Sequence, residues 1–487
     1  MKKALTVLSS LLMLGFMARA QEARDTLYMD YPADRTMKVN LRHDYTKTLV
    51  TKIFLSNSKY DGKYKHADNG EQDVFLNFEQ ALERIKVLDI LSLGMPKITY
   101  LVGWQYNGHD SKYPAFFEGN EKLKRPSDPN ALASIKWLSS EAKKYNTAVS
   151  FHINMFDCYE DSPLFEKYLR ADAIARTKTG HLLASEWGYK IDYAQEWKSG
   201  LAKERIDRMC ELLPVQDAGS VHIDAFHTTA PVPIENEDGS FSVGFITQVS
   251  PYHGWTREDE VAAQIEILKY WDSKGVDVTT EGLDSHVDGL NDPHSGYRPM
   301  VWHINPALHL HYPESMLTGG DSGGYIEKRV FGSNESLEGA LRETPCDWGE
   351  VTKMLCTTTF ISNYINRHER LMYIKGEEYG KVVFDGGLET EVDGKHYTVK
   401  ENGIQLVEND DIFIPALWMD GKNIVAYSAT GYKSRTWDLL PTFPKKGRVT
   451  IWSVDQNGRR MVDRRSYSGG RVRLAVKEGQ MLLLSFE

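Results

Sequence analysis

From about residue 50 onward, short runs of apolar and β-branched residues alternate with longer amphipathic segments, and this alternation restricts the fold more than any other feature of the sequence. Strands repeat every two residues and helices every 3.6, so a pattern that switches between the two periods spells successive βα units. Candidate strands are Thr51–Leu55, Ile98–Trp104, Ala148–Phe156, Ser220–Phe226, Val276–Glu281 and Met300–Asn305. Between them a helix opens at Asn77 and sets Phe78, Leu82, Ile85 and Leu88 on one stripe. A second takes Asp128 as its N-cap, Pro129 in its first turn, and Leu132, Ile135 and Leu138 on its inner face. A third runs near Leu201–Leu213. A fourth starts after Thr256, carries Val261, Ile265, Leu268 and Trp271, and stops at Gly275. With further helices near 336–344 and 348–361, the pattern predicts an α/β fold, a (β/α)8 TIM-type barrel over residues 50–376.

Past Gly376 the strands shorten and are broken by Asp393-Gly394, Asp420-Gly421 and Asn457-Gly458, pairs that favour tight hairpins. Residues 377–487 are therefore predicted to form an all-β sandwich domain. At the other end, Lys2 and Lys3, the apolar run Leu5 to Phe16 and Ala18-Arg19-Ala20 read as a signal peptide over 1–20, which leaves 21–49 as an N-terminal segment. The apolar run is shorter than the ~20 residues a bilayer span needs, so no transmembrane segment is expected. The expected location is secreted, periplasmic or extracellular, and without a cysteine after the cleavage site no lipid anchor is expected. Cys158, Cys210, Cys346 and Cys356 lack metal-ligand spacing; a Cys346–Cys356 disulfide and buried free thiols fit equally. A net charge of −10 leaves no overall excess of Lys and Arg to neutralise phosphates, so nucleic acid is not an expected partner.

Chemistry concentrates where the predicted barrel strands end. The tips read Trp104-Gln105-Tyr106-Asn107-Gly108-His109-Asp110, His152-Ile153-Asn154-Met155-Phe156-Asp157, His222-Ile223-Asp224-Ala225-Phe226-His227, Thr280-Glu281 and Trp302-His303. Barrel enzymes assemble their sites from such C-terminal strand tips. Asp224 shares a strand face with His222, because alternate residues point the same way. Glu281 closes the next strand, and neighbouring tips suit two carboxyls about 5 Å apart, as a retaining glycosidase needs. One attacks the anomeric carbon; the other protonates the leaving oxygen and then deprotonates water. Trp104, Trp187 and Trp302 are candidates to stack on sugar faces. Gln105, His109, Asp110, His152, Asn154, His222 and His303 are candidates for sugar hydroxyls. His109, His152, His222, His227 and His303 also suggest a metal set, but sugar or carboxylate hydrogen bonding is the preferred reading, and neither metal nor cofactor is expected. The bland alternative is that Asp224 and Glu281 are helix caps or turn formers. Glu186, on a loop, is a competing acid.

At these residues the chain resembles glycoside hydrolase family 101, the endo-α-N-acetylgalactosaminidases that release Galβ1-3GalNAc from serine or threonine of mucin-type glycoproteins. The resemblance rests on Tyr100-Leu101-Val102-Gly103-Trp104-Gln105, Gly108-His109-Asp110, His222-Ile223-Asp224 and the strand ending at Glu281. It implies Asp224 as nucleophile, Glu281 as acid/base, Asp110 holding sugar hydroxyls, and Trp187 near the bound sugar. A long insert, Thr228 to His253, follows the proposed nucleophile strand; it either narrows the mouth or is a surface hairpin. The expected function is a secreted retaining α-glycosidase acting on α-linked GalNAc of O-glycans or glycoproteins. An exo-acting α-N-acetylgalactosaminidase, an α-galactosidase and a non-catalytic glycan-binding protein are the alternatives.

Overall fold

The structure is a computed structural model. It describes residues 24–29, 41–60, 68–184, 188–224, 226, 231–235, 241–245, 250, 252–280, 300–301, 310, 324–333 and 337–487.

Six strands, β1 Leu49–Phe54, β2 Lys97–Val102, β3 Thr147–Asn154, β4 Ser220–Asp224, β5 Asp277–Thr280 and β6 Met300–Val301, form one parallel sheet. Each pairs with the strand before and after it in the chain, so the order is simply β1 to β6. β2 is buried along its whole length, as a parallel strand covered on both faces must be. The described residues give an arc of neighbouring strands rather than a closed ring.

The connections hold the predicted helices α1 Phe78–Leu91, α2 Ala131–Ala142, α3 Leu201–Leu212 and α4 Arg257–Ser273. α1 is N-capped by Asn77, with Gln80 completing a reciprocal capping box, and buries Phe78, Leu82, Ile85 and Leu88. α2 corrects the sequence expectation. Its N-cap is Asn130, whose side chain accepts from Ala133 N at 2.9 Å, while Asp128 instead accepts from the Ser134 hydroxyl at 2.7 Å. Asp128, Pro129 and Asn130 precede the same apolar stripe, and the residue nearest the first turn won. The predicted helix over 348–361 is Trp348–Met354, a π-helical stretch Leu355–Thr359, and Phe360–Ile365.

The C-terminal part is an antiparallel sheet of eleven strands that begins at Arg370, with a separate ribbon of Tyr432–Asp438 and Arg471–Val476. One edge strand comes from the far end of the chain: Asp25–Tyr28 pairs with Arg370–Lys375. The opposite edge is Gly458–Tyr467. A continuous apolar core runs through both parts. Trp418, from the C-terminal sheet, stacks on Phe360 at 5.0 Å and donates its indole N–H to Ser92 O at 3.1 Å. All four cysteines are free thiols. No helix of the described residues is long and apolar enough to cross a membrane. The 1–20 segment lies outside the described residues.

Candidate active site

Two glycines set the loop after β2. Gly103 has φ +72°, and a Cβ there would stand 1.8 Å from Ser56 O, so only glycine lets the chain pass. Gly108, at φ +114°, would meet Asn57 and Ser58 backbone at 2.9 Å. The loop between them folds back on the hairpin Ser56–Tyr60/Asp68–Val74, where His109 N donates to Ser56 O at 3.0 Å and Ser58 N to His109 O at 3.2 Å. His109 is thereby fastened by its backbone at the tip of β2. Asp110 follows at φ +56°, a conformation Asp tolerates better than most residues.

β3 and β4 bring the other polar tips alongside. Their register sets His152 opposite His222 and Asn154 opposite Asp224. A row of rings results: His109 to His152 at 5.0 Å, His152 to His222 at 5.1 Å, His222 to Tyr100 at 5.4 Å. His152 Nε2 lies 3.3 Å from Asp224 Oδ2, and His109 Nε2 lies 3.5 Å from Asp110 Oδ2. His109, His152 and Asp224 each offer a ligand atom within 4.8 Å of the others. Two imidazoles and a carboxylate are a donor set a divalent ion can use, and they equally form a floor for sugar hydroxyls. Asp224 keeps 17% of its side chain exposed against 4% for His152, so the carboxylate is the open end of the pair.

Beneath this floor the polar groups are locked together. His222 Nδ1 lies 2.8 Å from Thr279 Oγ1, which donates to Tyr100 OH at 3.1 Å; Tyr100 OH in turn lies 2.6 Å from Ser220 Oγ. Asn154 Oδ1 accepts from the backbone of Phe156 at 2.6 Å and Asp157 at 2.9 Å, and its Nδ2 donates to Asp157 Oδ2 at 2.8 Å. Lys190 Nζ stands 3.4 Å from Asp157 Oδ1 and 3.5 Å from the centre of the Phe156 ring. Burial raises the Asp157 pKa; Lys190 pulls it down, and the charge of Asp224 pushes it up again. Burial also holds the phenols of Tyr113 and Tyr159 far above the ordinary range, with Asp110 the leading charge contribution to both.

The sequence candidates therefore divide. His109, Asp110, His152 and Asp224 meet at the strand tips. Trp104 does not offer a face to a sugar: it is fully buried, edge-on to Phe151 at 4.9 Å, with its indole N–H on His152 O at 3.0 Å. Gln105 is also buried and donates to Tyr113 OH at 3.0 Å. His222 and Asn154 form the layer below the surface, where they orient neighbours rather than face solvent. Glu281, Trp187, Trp302, His303 and the competing Glu186 lie outside the described residues. Asp157 and Lys190 were not among the candidates. Asp157 had a signal, a carboxylate just past an apolar strand; Lys190 had none, since its partner is distant in sequence. Within the Thr228 to His253 insert, Pro231–Glu235 and Phe241–Phe245 pair as an antiparallel hairpin.

Residues 71–290 match the family described as endo-alpha-N-acetylgalactosaminidase, glycoside hydrolase family 101. No curated protein matches the sequence. Among solved structures, the chain is similar to the alpha-N-acetylgalactosaminidase NagBb from Bifidobacterium bifidum in complex with GalNAc, at 12% identity and TM-score 0.48, over 74% of this chain and 59% of that one. It is similar to the alpha-amylase from Geobacillus thermoleovorans complexed with acarbose, at 10% identity and TM-score 0.41, over 92% and 99% of the two chains. A third is the GH36 alpha-galactosidase AgaB from Geobacillus stearothermophilus, at 11% identity and TM-score 0.43, over 91% and 56%. The chain spans 59% of the length of the Bifidobacterium protein.

Proposed function

We propose that this chain, whose residues 71–290 match glycoside hydrolase family 101, is a secreted, retaining α-glycosidase that cleaves α-linked GalNAc from serine or threonine of mucin-type O-glycans, releasing Galβ1-3GalNAc. The observation that carries this reading is the meeting of Asp224 with His152 and His109 at adjacent strand tips. Asp224 attacks the anomeric carbon as carboxylate while the bond to the serine or threonine oxygen breaks, and Glu281 gives that oxygen its proton. Glu281 then takes a proton from water, which attacks the anomeric carbon and frees Asp224. The attacking species is the Asp224 carboxylate, and His152 Nε2 stands 3.3 Å from its Oδ2. Glu281 follows Thr280, whose sheet partner Ile223 directly precedes Asp224. Neighbouring strand tips stand about 5 Å apart, the separation of retaining carboxyl pairs.

The proposal includes a closed (β/α)8 barrel and a C-terminal sandwich. In its support, the six parallel strands run in unbroken sequence order, and the late helix Glu338–Arg342 packs back onto β1. Arg84 of α1 reinforces that return by donating to Leu341 O at 3.2 Å and Glu343 O at 3.0 Å.

The test is hydrolysis of the nitrophenyl α-glycoside of Galβ1-3GalNAc, followed by NMR, with Asp224→Ala and Glu281→Ala alongside. Release of the disaccharide first as its α-anomer, lost in Asp224→Ala, is the expected result. Activity on α-GalNAc or α-galactoside monosaccharides alone would move the substrate to an exo enzyme. Silence of the wild type on all three would overturn the reading in favour of a glycan-binding protein.

A further inference from the structure

The net charge of −10 hides an asymmetry. Residues 430–487 hold twelve Lys and Arg against five Asp and Glu, so the end of an acidic chain is strongly basic. These residues build the edge strand Gly458–Tyr467 and the ribbon Tyr432–Asp438/Arg471–Val476. Between strand and ribbon lies a groove of about 890 Å³. Its floor is apolar, from buried Ile451, Leu474 and Leu482, and its rim carries Lys433, Arg460, Arg465 and Lys477. Arg465 is tied to Asp463 at 3.2 Å. Lys433, Arg460 and Lys477 are exposed and take no carboxylate partner among the described residues.

Basic residues on an edge strand often serve only to keep edges from pairing. That accounts for Arg459 and Arg464, which lie opposite Val454 and Thr450, whereas the bulge between Met461 and Asp463 sets Arg460 and Arg465 opposite Ser453 and Val449, on the other face. It does not account for Lys433 and Lys477, which reach the same groove from the ribbon and the turn after it. Three cations without a carboxylate partner among the described residues, from two strands and a turn, converge on an apolar-floored concavity whose lining carboxylates are Asp463, tied to Arg465, and Glu478, and this excess of positive charge suits an amphipathic anion. The volume falls within the range of roughly 300–1,000 Å³ that small-ligand sites occupy, which suits a few sugar rings better than a flat membrane or a duplex.

We propose that this groove binds acidic carbohydrate, with the anionic carboxylate or sulfate on Lys433, Arg460 and Lys477 and the ring or N-acetyl carbons on the apolar floor. The choice of carbohydrate rests on the O-glycan reading above. The groove then holds a charged part of the glycan while the separate site at the strand tips cuts.

The test is affinity electrophoresis of the full chain through gels containing polysialic acid, dextran sulfate or neutral dextran, none of which presents α-linked GalNAc. Retardation by polysialic acid, by dextran sulfate or by both, but not by neutral dextran, is expected, and the two acidic gels distinguish carboxylate from sulfate as the bound anion. Lys433→Ala, Arg460→Ala and Lys477→Ala combined should weaken this binding by at least about tenfold, since each removes a charge-assisted contact. Melting temperature and rate on the nitrophenyl glycoside should not change. The outward pair Arg459→Ala and Arg464→Ala should leave binding intact. No retardation by either acidic polymer, or equal loss in the outward pair, overturns the proposal, as does capture of DNA or anionic phospholipid vesicles without capture of acidic polysaccharide. The readout needs no hydrolysis, so an inactive wild type that is still retarded would sink the catalytic reading and leave the groove standing.

Discussion

Gly103 illustrates how much of the site depends on a residue with no side chain. Gly103→Ala should destabilise the fold by about 3 kcal/mol or more, because the positive φ and the collision with Ser56 O cannot both be relieved; denaturant unfolding reads this directly. His152→Ala should lower kcat by about 10²-fold with the fold intact, and Asp224→Asn by at least about 10³-fold, both measured on the nitrophenyl disaccharide. Trp104→Phe removes the donor to His152 O and should cost about 1–3 kcal/mol, by unfolding, with a smaller effect on substrate binding than loss of a stacking face would give. Asp224, His152 and His109 were legible in the sequence because polar residues at the end of apolar strands have few other places to go. Trp104 and Gln105 were misread for the converse reason. A residue type suited to a sugar is equally suited to packing under one, and burial is decided by the loop that crosses above.

At the scale of elements, helix starts were legible where one capping residue stood alone. Thr256 caps α4 with Asp259 as its reciprocal partner, and Thr256→Ala should cost about 1 kcal/mol in thermal unfolding. Where Asp128, Pro129 and Asn130 compete within three positions, sequence alone does not select the cap. α4 also carries Glu260, which is buried, accepts from Tyr193 N at 3.0 Å, and neighbours Asp192, itself 2.8 Å from His253 Nδ1. Burial first, then the charge of Asp192, raises the Glu260 pKa well above the usual 4.5. A carboxyl whose folded pKa is raised contributes stability that is full below its unfolded value and is lost as pH climbs through the folded one. Stability should therefore decline above about pH 4.5, by at most about 1.4 kcal/mol per pH unit for this group. Glu260→Gln should flatten that decline, as midpoints of urea unfolding at pH 5 and 8 would show; equal slopes in variant and wild type would refute the assignment.

For the whole molecule, the shared core and the Trp418 contacts predict that the parallel and antiparallel parts melt together. One calorimetric transition is expected, splitting or broadening in Trp418→Ala. The succession of βα units and the hairpin-rich end were both visible in the sequence, because periodicity is local. The pairing of Asp25–Tyr28 with Arg370–Lys375 was not, since an isolated four-residue strand has no pattern of its own and its partner lies at the other end of the chain. That pairing has a temporal consequence. The strand made among the first must wait for one made much later, so Asp25–Tyr28 goes without its sheet partner until Arg370–Lys375 has been synthesised, and only then can it cover that edge. Until then, a strand of a second unfinished copy is its competing partner.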